Sequence, residues 1–380
     1  MHIVIEPDLT TLCAGTWNQL VPDNHPFLQH EFLAGLEATQ CVSPKTGWTP
    51  QHILVYTDKS KTTLCGAMPC YLKQHSYGEY IFDWVWADAY QRAGLNYYPK
   101  LLCAIPFTPV TGPRCLAAQN TDRLYIQRAI SQHLLKSAQE HNISSIHCLF
   151  TNAETNQLLE NDGFVKRVSS QFHWTNAGYQ SFEDFLNQLS SKKRKNIKRE
   201  RRRVAEADIE YVWHHGESLT PEVMLQMNRF YERTIRRYGA QQYLSRDFFI
   251  HLQQNMPHHI HVLLAYHQQQ AIAGGLYFSS DDCLYGRYWG ALDDYHSLHF
   301  ETCYYQPVQY CIELQLQRFE AGAQGEHKLA RGLLPQTTYS MHWLADPQFR
   351  DAVINYTNEE AVQIDRYNEL LTEHSPFREI

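Results

Sequence analysis

The sequence predicts an α/β (α+β) protein of two similar domains, each a mixed, mostly antiparallel sheet flanked by helices. Two patterns carry that expectation: a hairpin signal that occurs once in each half, and a similar order of helix and strand signals in both halves. Size and composition agree. A chain of 380 residues, 43% apolar and 13% aromatic, has enough apolar side chains for more than one core.

In the first half, an apolar run at 53–56, a polar turn at Asp58, Lys59, Ser60 and Lys61 and a second run at 63–72 read as a hairpin. The second half repeats it with 262–266, a turn at 267–270 and 271–278. Both copies begin with a histidine, His52 and His261. About fourteen residues later each has a glycine followed by small or apolar residues, Gly66-Ala67-Met68 and Gly274-Gly275-Leu276. After the first hairpin the spacing predicts a helix over 122–140, with Leu124, Ala129, Ile130, Leu134, Leu135 and Ala138 on one stripe, then a strand at 145–150. A short helix over 155–162 follows, closed by Gly163 as a left-handed cap, and Phe164-Val165 starts the next strand. In the second half Thr220 caps and Pro221 opens a helix over 221–237. An aromatic strand over 283–290, a helix over 301–317, a strand at 318–320, a loop over 321–328 and a terminal helix over 359–372 complete it. These readings place the domains at 1–175 and 176–380, with a basic helix over 190–204 opening the second.

Charge is the most uneven property of the chain. Residues 190–203 hold nine cations and one anion, a local +8, so a protein of net −7 carries −15 elsewhere. A polyanionic partner is the physical reading, because positive potential is concentrated where the rest of the surface repels the same ligand. If the run is helical, Leu189, Ile197 and Val204 form its one apolar stripe, and Lys192, Lys193, Arg194, Lys198 and Arg199 face outward as phosphate ligands, for a small molecule or for tRNA. The bland alternative is a solvated charged helix offset by acidic neighbours.

Two further groups suggest chemistry. Glu301, Glu326 and His327 offer bases or oxyanion donors for acyl transfer to an amine, and Lys328 and Arg331 offer cations for a carboxylate or phosphate. An ion-paired turn explains the same residues. In the aromatic strand, simple alternation sends Tyr285, Arg287 and Trp289 to one face and Tyr288 to the other. Arg287 and Trp289 then suit a binding floor, or equally a packed strand.

Other chemistries lack their signatures. The twenty-one histidines include no His-Glu-x-x-His, the ten cysteines form no Cys-x-x-Cys pair, and no Gly-x-Ser-x-Gly elbow occurs, so no metal is expected. Unpaired thiols, an amino end without a basic and apolar leader pattern, and no run of eighteen apolar residues predict a cytoplasmic protein with no transmembrane segment.

The order hairpin, helix, strand, helix, Gly163-Phe164, strand resembles the GNAT acyltransferase fold. Segments 82–84 to 98–101, 106–110, 190–203, 285–290, 299–306 and 322–331 resemble the FemAB-like bacterial proteins, named for peptidoglycan biosynthesis or recognition. That resemblance implies tandem GNAT-like domains and transfer of an acyl or aminoacyl group to an amine of a phosphate-bearing acceptor, a peptidoglycan precursor among them. Aminoacyl-tRNA or acyl-CoA is the implied co-substrate, with peripheral contact to a lipid-linked precursor. The chain lacks the Gln/Arg-x-x-Gly-x-Gly/Ala loop of acyl-CoA enzymes. Gln91-Arg92-Ala93-Gly94 matches only its first half, and Gly322-Ala323-Gln324-Gly325 stands in another context. A non-catalytic binding protein for cell-wall precursors or nucleic acid is the alternative.

Overall fold

In a computed structural model describing residues 1–293, 295–323 and 325–378, the chain forms two compact units. Unit 1 comprises 1–22, 27–169 and 337–366; unit 2 comprises 23–26, 170–336 and 367–380. This division differs from the expected boundary at 175/176. The strand Val165–Thr175 begins in unit 1, and its last residues, His173, Trp174 and Thr175, pair antiparallel with Arg318–Glu320 in unit 2. Conversely, Leu334–Leu344 starts in unit 2 and delivers Ser340 to Leu344 antiparallel to Ser145–Leu149 in unit 1. Local periodicity specifies a strand, but not which sheet completes its hydrogen bonds.

Unit 1 has a sheet ordered His2–Glu6, His52–Tyr56, Leu64–Met68, Leu116–Ala117, the hairpin expected from sequence occupying its middle. A second sheet runs Trp48–Pro50, Tyr71–Lys73, Lys100–Cys103, Ser145–Leu149 and then 340–344, so the run expected at 63–72 divides between two sheets. Arg123–Glu140, capped by the Asp122 side chain, buries Ile126, Ile130, Leu134 and Ala138 against both sheets' apolar residues. Gly163, at φ 83°, ends the turn after Ala153–Asn161, and Phe164 is buried beside it, as the cap signal predicts.

Unit 2 places Ile209–His215, Ile260–His267, Gln270–Ser279, Cys283–Ala291 and Arg318–Glu320 side by side, followed by 173–175. Gln268 and Gln269, both at positive φ, make the tight turn of its hairpin. Helix Pro221–Tyr238, capped by Thr220 and closed by Gly239 at φ 59°, buries Met224, Met227, Phe230 and Tyr231 on the sheet. Gly290 allows that approach, since a Cβ there would lie 2.1 Å from the Phe230 carbonyl oxygen.

The single helix expected over 301–317 is three pieces: Leu298–Phe300, a π-turn Glu301–Tyr305 and Gln306–Glu313. Pro307 has no N–H to return to the carbonyl four residues back. The Gln306 N–H instead reaches the Glu301 carbonyl, five residues back, and the helix widens. The terminal helix is longer than expected, Pro347–Glu373.

Unit 1 also buries a charge cluster. The Lys100 ammonium, fully buried, donates to Glu79 at 2.8 Å, to the Ser76 hydroxyl at 2.8 Å and to Asp83, while the Tyr97 hydroxyl donates to Asp83 at 2.6 Å. Burial alone would raise the Asp83 carboxyl, but Lys100 and then His147 outweigh it and hold the group well below the usual range. A depressed folded-state pKa contributes stability above the ordinary carboxylate value, and that contribution disappears as pH falls through and below about 4. Lys100→Met should therefore cost about 3–5 kcal/mol in urea unfolding near neutral pH. Asp83→Asn should lose less stability than the parent chain between roughly pH 5 and 2, by the same measurement.

Candidate functional site

The site is built where two parallel strands of unit 2 part. Cys283–Ala291 pairs with Arg318–Glu320 through only three residue pairs, ending at Tyr285 opposite Glu320. Beyond them one strand continues beside Gln270–Ser279, while the other chain turns at Gly322, φ 83°, toward the 3₁₀ segment Glu326–Arg331. The opening is a cavity of about 250 Å³ whose lining includes Arg287, Trp289, His299, Tyr304, His327 and Lys328. Gln324 of the expected loop lies outside the described residues.

Simple alternation along the aromatic strand does not hold. Leu276 pairs with Tyr288 but Tyr277 pairs with Gly286, so Arg287 is the extra residue of a β-bulge. The consecutive residues Gly286, Arg287, Tyr288 and Trp289 consequently all border the cavity, whereas Tyr285 is buried away from that lining. The π-turn supplies the opposite wall through Cys303 and Tyr304.

The lining is electropositive. The Lys328 ammonium is buried and donates to the Gly322 carbonyl at 2.6 Å; burial lowers its pKa to about 8. His327 Nε2 lies 2.8 Å from the Tyr304 hydroxyl, and burial, followed by Arg331 and Lys328, pushes the imidazole below its usual pKa. His299, stacked edge-on with Trp289 at 4.9 Å, is pushed down to about 4 by burial and then by His327, Arg331 and Lys328. It is a neutral ring at physiological pH. His299 and Tyr304 were missed in the sequence because their spacing to His327 means nothing until the π-turn and the loop meet.

Other expected residues lie outside the cavity. Glu301 Oε1 accepts from Arg201 Nε at 3.1 Å and Gln306 Nε2 at 2.8 Å, and burial raises its pKa. Glu326 is exposed and accepts from the Tyr367 hydroxyl at 2.9 Å. Arg331 is buried, donates through Nη2 to both Glu200 oxygens at 3.1 Å and through Nη1 to the His327 carbonyl at 2.7 Å, and lies 3.4 Å above the Phe300 ring centre. It positions the loop that carries His327 and Lys328.

The basic run forms helix Ser191–Glu206, with Ile197 and Val204 buried as expected; Leu189 is also buried but precedes the helix. Its inner cation Arg201 and its lone acid Glu200 are the partners of Glu301 and Arg331, a pairing that the single acid in a basic run could have signalled. The structure does not bring Lys192, Lys193, Arg194, Lys198 or Arg199 into the cavity lining. Lys198 pairs with Glu183 at 2.7 Å, Arg199 donates to Asn196 at 3.2 Å, and Lys192 is exposed with Lys193 half-buried. Arg194 Nη1 is buried without a hydrogen-bond partner among the described residues. Within those residues no group of three or more His, Cys, Asp or Glu is placed to hold a metal, and no helix is long and apolar enough to cross a membrane.

The FemAB-like family model, described as peptidoglycan biosynthesis/recognition, matches residues 8–379. The chain belongs to the FemAB-like family. Its fold is similar to the crystal structure of FemX, with TM-score 0.53 and 10% identity over 93% of this chain and 100% of that one. It is also similar to L-PGS from Bacillus licheniformis, with TM-score 0.52 and 8% identity over 85% and 94% of the two chains. A conserved protein of unknown function from Bacteroides thetaiotaomicron gives TM-score 0.54 and 10% identity over 90% and 100%. No curated protein matches the sequence. The fold of this FemAB-like chain is a mixed α/β arrangement of two units, similar to that of FemX.

If Glu200 holds the Arg331 side chain and through it the loop, Glu200→Gln should lower stability by about 1–3 kcal/mol in urea unfolding. It should also speed proteolytic cleavage within 322–332, read by mass spectrometry.

Proposed function

We propose that this FemAB-like protein is an N-acyltransferase that moves an acyl or aminoacyl group onto an amine of a phosphate-bearing acceptor, with the chemistry in the unit 2 cavity. The observation that carries the reading is the opening between parted parallel strands, lined by a buried lysine, a tyrosine hydroxyl and two imidazoles of lowered pKa. Beyond Tyr285 the strand no longer pairs with Arg318–Glu320, and its backbone along the cavity faces an extended donor. The amine nitrogen attacks the donor carbonyl, the C–N bond forms, and the bond from carbonyl carbon to the leaving oxygen or sulfur breaks. His327, neutral and at the cavity, takes the proton released by the amine and returns it to the leaving group. Lys328 and the Tyr304 hydroxyl stabilise the oxyanion. Arg287 and Trp289 bind the donor or acceptor beside them, and Glu301 and Glu326 act outside the reacting centre.

The acceptor in this reading is a peptidoglycan precursor, as the family description suggests, handled in the cytoplasm or at the face of a lipid carrier. The outer cations Lys192, Lys193, Arg194, Lys198 and Arg199 receive phosphates of that acceptor or of an aminoacyl-tRNA donor. The deciding experiment incubates purified protein with charged tRNA or acyl-CoA and amine acceptors, with product read by mass spectrometry. Binding without turnover from either donor would favour the non-catalytic alternative.

Two outcomes are expected from the geometry. Lys328 works as an ammonium with a pKa of about 8, so kcat/KM should fall as pH rises through that value; Lys328→Met should lose about 10²–10³ of the rate and the alkaline limb with it. If the basic helix engages single-stranded RNA, log K should fall by about 0.7 per log unit of salt for each phosphate neutralised, and Lys192→Gln with Lys193→Gln should make that slope shallower.

A further inference from the structure

A second cationic feature of unit 2 lies on helix Pro221–Tyr238, apart from the lining of the cavity. Arg229, Arg233, Arg236 and Arg237 line one hollow of about 680 Å³ together with Leu292 and Asp293. The helix buries Met224, Met227, Phe230 and Tyr231 on its other side, so the arginines form its exposed face. Arg229 and Arg233, and Arg233 and Arg237, stand four residues apart, a spacing at which like charges repel.

The hollow is held in shape. Thr234 donates to the Trp289 carbonyl at 2.9 Å, Arg233 donates to the Leu292 carbonyl, and the absent side chain of Gly290 lets helix and strand meet. The carbonyl end of the helix accounts for cations in its last turn, Arg236 and Arg237, and Arg236 also pairs with Glu232 at 3.0 Å. Neither explanation reaches Arg229 and Arg233, which have no carboxylate partner among the described residues. The four guanidinium groups arise from about 12 Å of helix, a span suited to two or three linked phosphates rather than a long strand. Asp293 borders the same hollow and works against extending the patch into a continuous polyanion track.

We propose that this hollow binds a diphosphate group, gripped by the planar donor forks of Arg229, Arg233 and Arg237. The site is independent of the acyl-transfer reading. Its test is titration calorimetry of the full chain with inorganic pyrophosphate, inorganic phosphate and ADP. Pyrophosphate should bind at least about tenfold more tightly than phosphate. ADP binding as tightly as pyrophosphate supports a nucleotide-borne diphosphate; weaker ADP binding supports the free anion. Arg229→Gln with Arg237→Gln should weaken pyrophosphate by about 10- to 100-fold, with the unliganded melting temperature confirming the fold. Arg233→Lys, which keeps the charge but loses the planar fork, should weaken pyrophosphate binding measurably, and Lys59→Gln with Lys61→Gln, exposed in unit 1, should leave its affinity unchanged. The proposal is overturned if phosphate binds as well as pyrophosphate, or if the Arg229/Arg237 variant binds unchanged. It is equally overturned if pyrophosphate binding disappears with the Lys59/Lys61 variant, or if a 12-nucleotide RNA displaces pyrophosphate with the steep salt slope of a backbone track.

Discussion

The point at which two parallel strands cease to pair with each other, so that their backbone groups must turn elsewhere, is the constraint that shapes both units. In unit 1, Lys100–Cys103 and Ser145–Leu149 pair through Cys103 opposite Cys148, and the chain itself then fills the gap. Fully buried Arg114 donates to the Leu149 carbonyl at 2.8 Å, the Val110 carbonyl at 2.8 Å and the Pro113 carbonyl at 3.2 Å, while the Gly112 N–H reaches the Phe150 carbonyl at 3.0 Å. Carbonyls that would otherwise be orphaned are satisfied by a side chain. In unit 2 the corresponding parting, after Tyr285 and Glu320, opens into a cavity. One unit spends its divergence on a structural plug; the other leaves room for a ligand.

The basic helix has two faces with different work. On the inner face, Arg201 and Glu200 are drawn into pairs with Glu301 and Arg331, and Arg331 fixes the carbonyl of His327. Burying such charges is costly, and only complete pairing compensates. Their arrangement therefore supports the cavity's geometry more than it adds stability. On the outer face Lys192 is exposed and Lys198 meets the surface partner Glu183, where an exposed ion pair contributes little.

Local signals in the sequence were dependable where a short stretch sets its own conformation. Gly163 as a cap, Thr220 and Pro221 as a helix start, and the hairpin at 260–279 all occur where the residue types require them. Features that depend on a distant partner were not legible. The strand 165–175 looks the same whichever sheet receives it, and Arg287 reveals its bulge only through the register of Leu276 and Tyr277. Glu301 reads in the sequence as a candidate base for acyl transfer; that it is buried against Arg201 and Gln306, outside the cavity lining, is visible only in the fold. The break in the helix before Pro307 was available in the sequence, since proline removes one hydrogen bond, but its size as a π-turn was not.

The cavity's charge balance points to what its ligand must supply. Its described lining contains Arg287, Lys328, His299 and His327 and no carboxylate. Lys328 is already destabilised as an ammonium by burial, and the two imidazoles stay neutral rather than add charge beside it. An uncharged ligand would leave that cost uncompensated, whereas a negative charge appearing at the cavity would relieve it. For the acyl transfer proposed above, such a site would bind the oxyanion more strongly than the neutral carbonyl from which it arises, and this difference, rather than tight binding of the donor, would lower the barrier.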